Sequence, residues 1–207
     1  SAHHRDLHCF PPRRSSDLRL ERFSKTMIEQ IDNLALIAGE FSDFAKMPSG
    51  INGPINLRDF IPEVLGIYSG IDKVHIEKVF PETDIPLYVL ADRNQLLRVF
   101  NNLLRNSFQA YERDETAVIQ VICEQKYGQI LCHVRDYGCG IPEALKPKIF
   151  SPNFTTKTGG MGLGLSMVKA IVENLGGTIS FQSSEGVGTT ITLALPAYSP
   201  GEDKTIN

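Results

Sequence analysis

Three short motifs in the chain carry residues that together can bind a nucleotide. They read Asn102-Leu-Leu-Arg-Asn106, Asp136-Tyr-Gly138-Cys-Gly140 and Gly160-Met-Gly162-Leu163-Gly164-Leu165, in this order. One glycine pattern alone more often marks a turn than a phosphate-binding loop. Three motifs in succession, each with a different chemistry, indicate a nucleotide site assembled from three separate elements.

The first motif offers two neutral oxygen ligands for a cation. Asn102 and Asn106 are four residues apart, so on a helix their side chains project from one face. Amide oxygens suit a Mg²⁺ ion that phosphates already bind, whereas carboxylates at these positions would repel the phosphates. Each Asn taken singly is an ordinary exposed helix residue, but the pair predicts magnesium binding together with the nucleotide. Asp92 is expected to cap this helix, with Gln95 returning the hydrogen bond.

The second motif places a carboxylate beside two glycines. Asp136 ends a strand-like run, and Gly138 and Gly140 let the backbone turn tightly, so that the carboxylate can face a pocket. A carboxylate oxygen accepts hydrogen bonds, which matches the exocyclic amine of adenine. The alternative is an Asp in a plain Asp-Gly turn. The other two motifs favour the adenine interpretation.

The third motif is typical of a helix start that binds phosphate. Gly160, Gly162 and Gly164 open a predicted helix, whose unpaired N–H groups and positive dipole end attract anions. Leu163 and Leu165 are expected to anchor that helix in the core.

In sequence, order and spacing, residues 54–196 resemble the ATP-binding domain of sensor histidine kinases, in the gyrase, Hsp90, histidine kinase and MutL superfamily. The three motifs match the family's N box and its first and second glycine boxes. An F box at 150–157 and a third glycine box at 186–189 complete the set. Residues 40–48 most resemble nitrogen-regulation sensor kinases.

The resemblance implies further roles and the cofactors ATP and Mg²⁺. In the family, the Asp that Asp136 matches binds adenine, with a water shared by the threonine that Thr189 matches. Lys157 matches a phosphate-binding lysine of the F box. It lies within residues 141–159, which predict a long loop that closes over the nucleotide. The predicted ATP-binding residues are Asn102, Asn106, Asp136, Gly138, Gly140, Lys157, Gly160, Gly162, Leu163, Gly164, Leu165 and Thr189, with Asn102 and Asn106 also binding the metal.

Hydrophobic periodicity predicts a two-layer α/β sandwich with a mixed sheet, which the resemblance identifies as the Bergerat ATP-binding fold. Two alternating strands, at 118–125 and 129–136, are joined by a hairpin turn at Tyr127-Gly128. The last helix is predicted from about Gly162 to Leu175, ended by Gly176-Gly177.

The chain is expected to divide into five segments. Residues 1–16 read as disordered or derived from cloning, 49–54 as a linker, 55–197 as the ATP-binding domain and 198–207 as a flexible tail. Residues 17–48 predict an amphipathic helix with heptad spacing. By resemblance it is the second helix of the dimerisation hairpin and makes a homodimer; the alternative is a surface helix lying on its own domain.

The sequence departs from the family at the phosphoacceptor. No histidine lies in a His-Glu or His-Asp acceptor motif: His3, His4 and His8 have unrelated neighbours, and His75 and His133 lie in strand-like runs. The accepting helix is therefore expected to be missing by truncation or by a disrupted N-terminus, and the catalytic residues are unknown.

Two further positions also depart from relatives. ATP-hydrolysing relatives carry a glutamate base where this chain has Asn102, so negligible intrinsic hydrolysis is expected. Gln109 stands where many members have a basic residue, and either Arg105 or Arg113 is expected to compensate.

Bulk composition narrows the setting. The chain has 207 residues, 42% of them hydrophobic, and a net charge of -3, which argues against a nucleic-acid partner. It contains no run of eighteen apolar residues, so we expect a cytoplasmic domain, whose parent protein can still be anchored in the inner membrane through upstream segments. Four cysteines without a Cys-x-x-Cys pair, at positions 9, 123, 132 and 139, fit a reducing compartment and predict no metal site.

The sequence therefore predicts the catalytic and ATP-binding core of a sensor histidine kinase, which donates the γ-phosphate of Mg-ATP to a histidine and serves a response-regulator receiver domain. Three alternatives remain open. They are a serine kinase of the anti-sigma type, a superfamily ATP hydrolase, and an ATP-binding dimerisation module without kinase activity.

Overall fold

A computed structural model describes residues 23–24, 26–28, 31, 51–82, 84–112, 115–155 and 162–201. In chain order the elements of the domain are β1 (Gly53–Asn56), α1 (Leu57–Gly66), β2 (Val74–Val79), β3 (Tyr88–Ala91), α2 (Arg93–Phe108), β4 (Ala117–Lys126), β5 (Gln129–Asp136), a 3₁₀ helix (Glu143–Lys148), α3 (Gly164–Asn174), β6 (Thr178–Ser184) and β7 (Gly188–Pro196).

Five of the strands form one mixed sheet in the order β2-β4-β5-β7-β6. The β2–β4 pair is parallel and the other neighbours are antiparallel, while β1 and β3 form a separate antiparallel pair. Tyr127 and Gly128 join β4 to β5 with φ values of 52° and 74°. Two successive positive φ values make a two-residue hairpin turn of the type that matches strand twist, so the predicted hairpin is confirmed.

One face of the sheet is buried under helices and the other is open. On β4, Ala117, Ile119, Val121 and Cys123 are buried, and the residues between them are half-buried or exposed. Helices α2 and α3 pack against each other and against the buried face. The arrangement is a two-layer α/β sandwich, as predicted.

Local signals fix where the helices begin and end. The Asp92 side chain accepts a hydrogen bond from the Gln95 amide at 2.8 Å, which confirms the predicted cap of α2. The expected start of α3 at Gly162 is wrong by two residues, because Gly162 has φ +68° and cannot belong to a right-handed helix. Gly176, with φ +72°, ends α3 as predicted.

The predicted segments at the two ends fall mostly outside the described residues. This holds for 1–16, for most of 17–48, for 49–50 and for 202–207. The positions described between 23 and 31 are helical, and Phe23, Met27, Ile28 and Ile31 are exposed there. Among the described residues, none of the helices combines the length and apolar character needed to span a membrane.

Candidate nucleotide-binding site

The Asp136 carboxylate lies buried where β5 and β7 end side by side. Its residue is 6% exposed, and Asp136 pairs with Thr189 across the two strands. Its Oδ1 atom accepts hydrogen bonds from the Gly138 amide and the Thr189 amide, both at 3.1 Å. A buried carboxylate is costly unless N–H donors face it. The two strand ends and the glycine turn therefore supply the N–H donors that stabilise this buried carboxylate.

The turn after Asp136 is wedged between two other elements. The Cys139 amide donates to the Ala110 carbonyl, just beyond α2, and the Gly186 amide in the β6–β7 turn donates to the Cys139 carbonyl, both at 2.8 Å. Gly140 has φ +68°, and a Cβ there would overlap the Ser184 carbonyl oxygen. Only glycine fits both this conformation and this space. The hydrogen bond from Gly186 to Cys139 links the first glycine box to the third.

A hydroxyl pair beside Asp136 includes a residue that sequence reasoning missed. Ser183 Oγ donates to the Gly188 carbonyl, accepts from the Ile141 amide, and lies 2.9 Å from Thr189 Oγ1. Because the single Ser183 proton goes to Gly188, the Thr189 hydroxyl must donate to Ser183, which leaves the Thr189 oxygen as an acceptor. The sequence feature that could have identified Ser183 is a polar residue at a position of β6 where the alternation places half-buried side chains.

The N box touches the start of α3. Asn102 Nδ2 donates to the Arg98 carbonyl at 2.9 Å, which fixes the orientation of the amide. A Cβ added to Gly164 would lie 2.7 Å from Asn102 Oδ1, so the carbonyl oxygen of Asn102 faces the first residue of α3. Asn106, one helical turn later on α2, is half-buried. The N box and the second glycine box, the first and third motifs of the sequence, are thus in contact.

The start of α3 suits an anion. Leu163 precedes the helix and is buried, and its side chain can accept no hydrogen bond from the first-turn amides. Leu165 is half-buried and packs on the hydrophobic core, as the sequence predicted. The backbone of Phe154 approaches Gly162 so closely that a Cβ there would lie 2.5 Å from it. The F box and the second glycine box are therefore neighbours.

Some predicted residues cannot be placed. Lys157 and Gly160 lie in the range 156–161, which is outside the described residues. Arg113 is also outside the described residues. Arg105 lies near Tyr68: burial raises the pKa of the Tyr68 hydroxyl, and the charge of Arg105 opposes that increase. In the part of the chain that the structure describes, no three His, Cys, Asp or Glu side chains cluster as a metal site. Cys123 and Cys132 are buried with free thiols.

Comparison with protein families gives one match. The model of the histidine kinase-, DNA gyrase B- and HSP90-like ATPases matches residues 91–199, more than half of the chain. This range contains all the predicted nucleotide-binding residues.

Two curated relatives illustrate the similarity. Sensor histidine kinase ZraS of Escherichia coli K12 is 32% identical over 183 residues, which cover 88% of this chain and 39% of ZraS. Nitrogen regulation protein NtrY of Azorhizobium caulinodans is 28% identical over 193 residues, covering 89% of this chain and 24% of NtrY. The chain thus spans well under half of the length of these relatives.

Two solved structures are also similar. The catalytic domain of histidine kinase ThkA has 34% identity and a TM-score of 0.62, covering 70% of this chain and 95% of that one. ThkA in complex with response regulator protein TrrA has 27% identity and a TM-score of 0.70, covering 92% of this chain and 54% of that one.

Proposed function

Since the chain belongs to the histidine kinase-, DNA gyrase B- and HSP90-like ATPase family and carries the ATPase domain of sensor histidine kinases, we propose that it binds Mg-ATP and donates the γ-phosphate to a histidine. It is then the catalytic core of a two-component phosphorelay. One observation carries the proposal: the buried Asp136 carboxylate accepts hydrogen bonds from two backbone amides, and the turn that follows it bonds to the end of α2, the helix of the N box.

Each part of ATP has a matching group in this chain. The Asp136 carboxylate accepts a hydrogen bond from the exocyclic amine of adenine. The Thr189 hydroxyl oxygen accepts a hydrogen bond from a water molecule that it shares with Asp136. The first turn of α3, with Gly162 and Gly164, binds phosphate oxygens through backbone N–H groups. Lys157 and Gly160 are proposed as further phosphate contacts.

The donor set also fits magnesium. Asn102 and Asn106 supply neutral amide oxygens on one face of α2, and Asn102 Oδ1 already faces the start of α3. A hard cation with phosphate ligands needs such oxygens and keeps its remaining positions for water. When bound, Mg²⁺ neutralises charge on the phosphates. The phosphate-binding residues of the chain would hold the γ-phosphate for attack by an imidazole.

Transfer needs a nucleophile from elsewhere. The bond from the γ-phosphorus to the β–γ bridging oxygen breaks as a bond to the histidine nitrogen forms, and ADP leaves. His75 lies on β2 and His133 on β5, where His133 Nδ1 is 2.9 Å from Thr192 Oγ1. Neither has the acceptor context. The acceptor is therefore proposed on a helix of another segment or molecule.

Asn102 makes water a poor substitute for that histidine. Its amide cannot take a proton from an attacking water, so ATP should persist in the absence of an acceptor. We expect phosphate release by the chain alone to be negligible over hours. Rapid release, sensitive to Asp136→Asn, would instead assign the chain to the ATP hydrolases of the family.

The proposed partners follow from this role. We propose a homodimer through residues 17–48 and a response-regulator receiver domain as the final phosphoacceptor. The complex of ThkA with a response regulator supports the second. The proposed compartment is the cytoplasm, and attachment of a longer parent protein to the inner membrane is compatible with it.

The test supplies the missing acceptor. The chain is mixed with γ-labelled ATP, magnesium and a dimerisation-hairpin domain that carries a His-Glu motif, with Asp136→Asn as the inactive control. Label on the hairpin that is stable to base and labile to acid identifies phosphohistidine and supports the proposal. Acid-stable label would indicate a serine kinase. ATP binding without any transfer, under conditions where ZraS labels the same hairpin, would indicate a nucleotide-binding dimerisation module.

A further inference from the structure

Tyr111 bridges two strands next to the adenine end of the site, although no nucleotide motif includes it. It lies three residues beyond the end of α2. Its hydroxyl accepts a hydrogen bond from the Tyr137 amide at 2.8 Å and donates one to the Val118 carbonyl at 2.6 Å. Tyr137 directly follows Asp136, so a residue from the N-box side holds the first peptide of the glycine turn.

The hydroxyl occupies a gap in the β4–β5 ladder. Lys126 and Gln129 flank the two-residue turn and form a hydrogen-bonded pair, and such pairs recur at every second position. The ladder ends at Ile119 opposite Asp136, so Val118 and Tyr137 would form the next pair. Counted in steps of two from Lys126 and Gln129, this would be a hydrogen-bonded pair. The Tyr111 hydroxyl relays the bond that these two residues would otherwise make directly.

This relay constrains the backbone at Asp136 from the β4 side, whereas the Thr189 amide contacts Asp136 from the β7 side. The amide that Tyr111 binds belongs to the peptide that joins Asp136 to Tyr137. The Gly138 and Thr189 amides hold Oδ1 from the turn and from β7. The side chain of Tyr137 is fixed as well, by a 2.9 Å hydrogen bond to Gln120 and by Arg135 over its ring. Without the relay, closing the gap would draw the Tyr137 peptide toward β4 and rotate Asp136.

We propose that Tyr111 is a positioning residue for nucleotide recognition, which orients the Asp136 carboxylate toward adenine and couples that carboxylate to α2. This inference rests on the proposed ATP site. Since α2 carries Asn102 and Asn106, the relay also keeps the adenine end and the phosphate end of the site in register.

Tyr111→Phe tests the relay because it removes only the hydroxyl. ATP and inosine triphosphate, which has a carbonyl in place of the adenine amine, are titrated by calorimetry. We expect ATP affinity to fall roughly two- to tenfold, as for loss of one hydrogen bond, and the preference for ATP over inosine triphosphate to fall with it. Val118 and Tyr137 are exposed, so water can solvate their freed C=O and N–H groups separately, and the melting temperature should change little.

Tyr127→Phe is the matched control. Tyr127 is fully exposed in the β4–β5 turn, at the far end of the same hairpin, and should leave both affinities unchanged. Suppose that the wild type binds ATP and Asp136→Asn does not. If Tyr111→Phe then keeps the wild-type preference for ATP over inosine triphosphate, the inference about Tyr111 is overturned and the proposed function stands. Absence of ATP binding by the wild type overturns the proposed function and the inference together.

Amide hydrogen exchange on the wild-type chain provides a test that needs no variant. The Tyr137 amide should be protected relative to an exposed amide, and ATP should increase that protection. Free exchange of Tyr137 both with and without ATP would contradict the relay, whatever the folding of Tyr111→Phe.

Discussion

Asp136 is the residue on which recognition of the base should depend most. In Asp136→Asn, the remaining oxygen can still accept from the Gly138 and Thr189 amides. The new amide nitrogen is a donor, however, and it would face the donor amine of adenine. We expect ATP affinity to fall at least about tenfold, since hydrogen bonds to a charged group are worth roughly 1.5–3 kcal/mol. Calorimetric titration with Mg-ATP measures the loss.

A surface substitution of the same kind serves as its control. The Asp72 side chain accepts only a local bond from the Lys73 amide at 3.1 Å, and its residue is exposed. Asp72→Asn should bind ATP like the wild type. Equal affinity of Asp136→Asn and Asp72→Asn would remove Asp136 from the site.

Asn106 should matter for the magnesium-dependent part of binding. Truncation in Asn106→Ala removes one amide oxygen from the face of α2 that is proposed to hold the metal. We expect roughly tenfold weaker ATP binding in magnesium and little change in the presence of a chelator. The comparison of the two titrations isolates the metal contribution.

The same helix offers a matched control for Asn106. Asn101 is also half-buried on α2, but its Oδ1 accepts from the Tyr68 hydroxyl at 2.9 Å, away from the site. Asn101→Ala should therefore keep its magnesium dependence. A similar loss in both variants would show that Asn106 supports the helix and not the metal.

At the scale of elements, the glycine turn that joins β5 to its neighbours should be sensitive to side-chain volume. Gly140 and Gly128 have similar φ values, +68° and +74°, but only Gly140 is crowded. Gly128→Ala should cost about 1 kcal/mol from backbone strain alone. Gly140→Ala adds an overlap with the Ser184 carbonyl and should cost about 3 kcal/mol or more. Chemical denaturation gives both free energies of unfolding, and equal values would contradict the wedged turn.

How well each element could be predicted depended on whether its signal was local. The alternation on β4 and the Tyr127-Gly128 turn located the hairpin within a residue, because one buried face imposes a strict period of two. The start of α3 was misplaced because Gly162 takes a positive φ and lies against the backbone of Phe154. No local pattern reports such a contact.

The same reason explains which site residues were missed. Asp136 and the two Asn residues could be proposed from the sequence because each lies in a short motif whose local spacing carries its chemistry. Ser183 and Tyr111 act through partners that are distant in sequence: Ser183 bonds Ile141 and Tyr111 bonds Tyr137. In sequence both read as ordinary polar or aromatic residues.

At the scale of the whole molecule, the ATP-binding domain should be independent of the segment before it. The buried hydrophobic side chains of the described residues all lie between Leu57 and Leu195. We therefore expect a fragment of residues 51–201 to unfold cooperatively and to bind ATP as tightly as the full chain. Differential scanning calorimetry and ATP titration check this, and loss of the cooperative transition in the fragment would mean that residues before 51 complete the core.

The same division predicts different association states. Met27 and Ile31 are one turn apart on the helical positions before the domain, and they are 48% and 58% exposed. Since an exposed apolar stripe is unfavourable in water, the full chain should dimerise at micromolar concentration, whereas the fragment 51–201 stays monomeric. Sedimentation velocity distinguishes the two. Ile31→Glu should make the full chain monomeric without changing ATP affinity, because the charge disrupts the seam and leaves the nucleotide site intact. A full chain that sediments as a monomer throughout would contradict the proposed homodimer through residues 17–48.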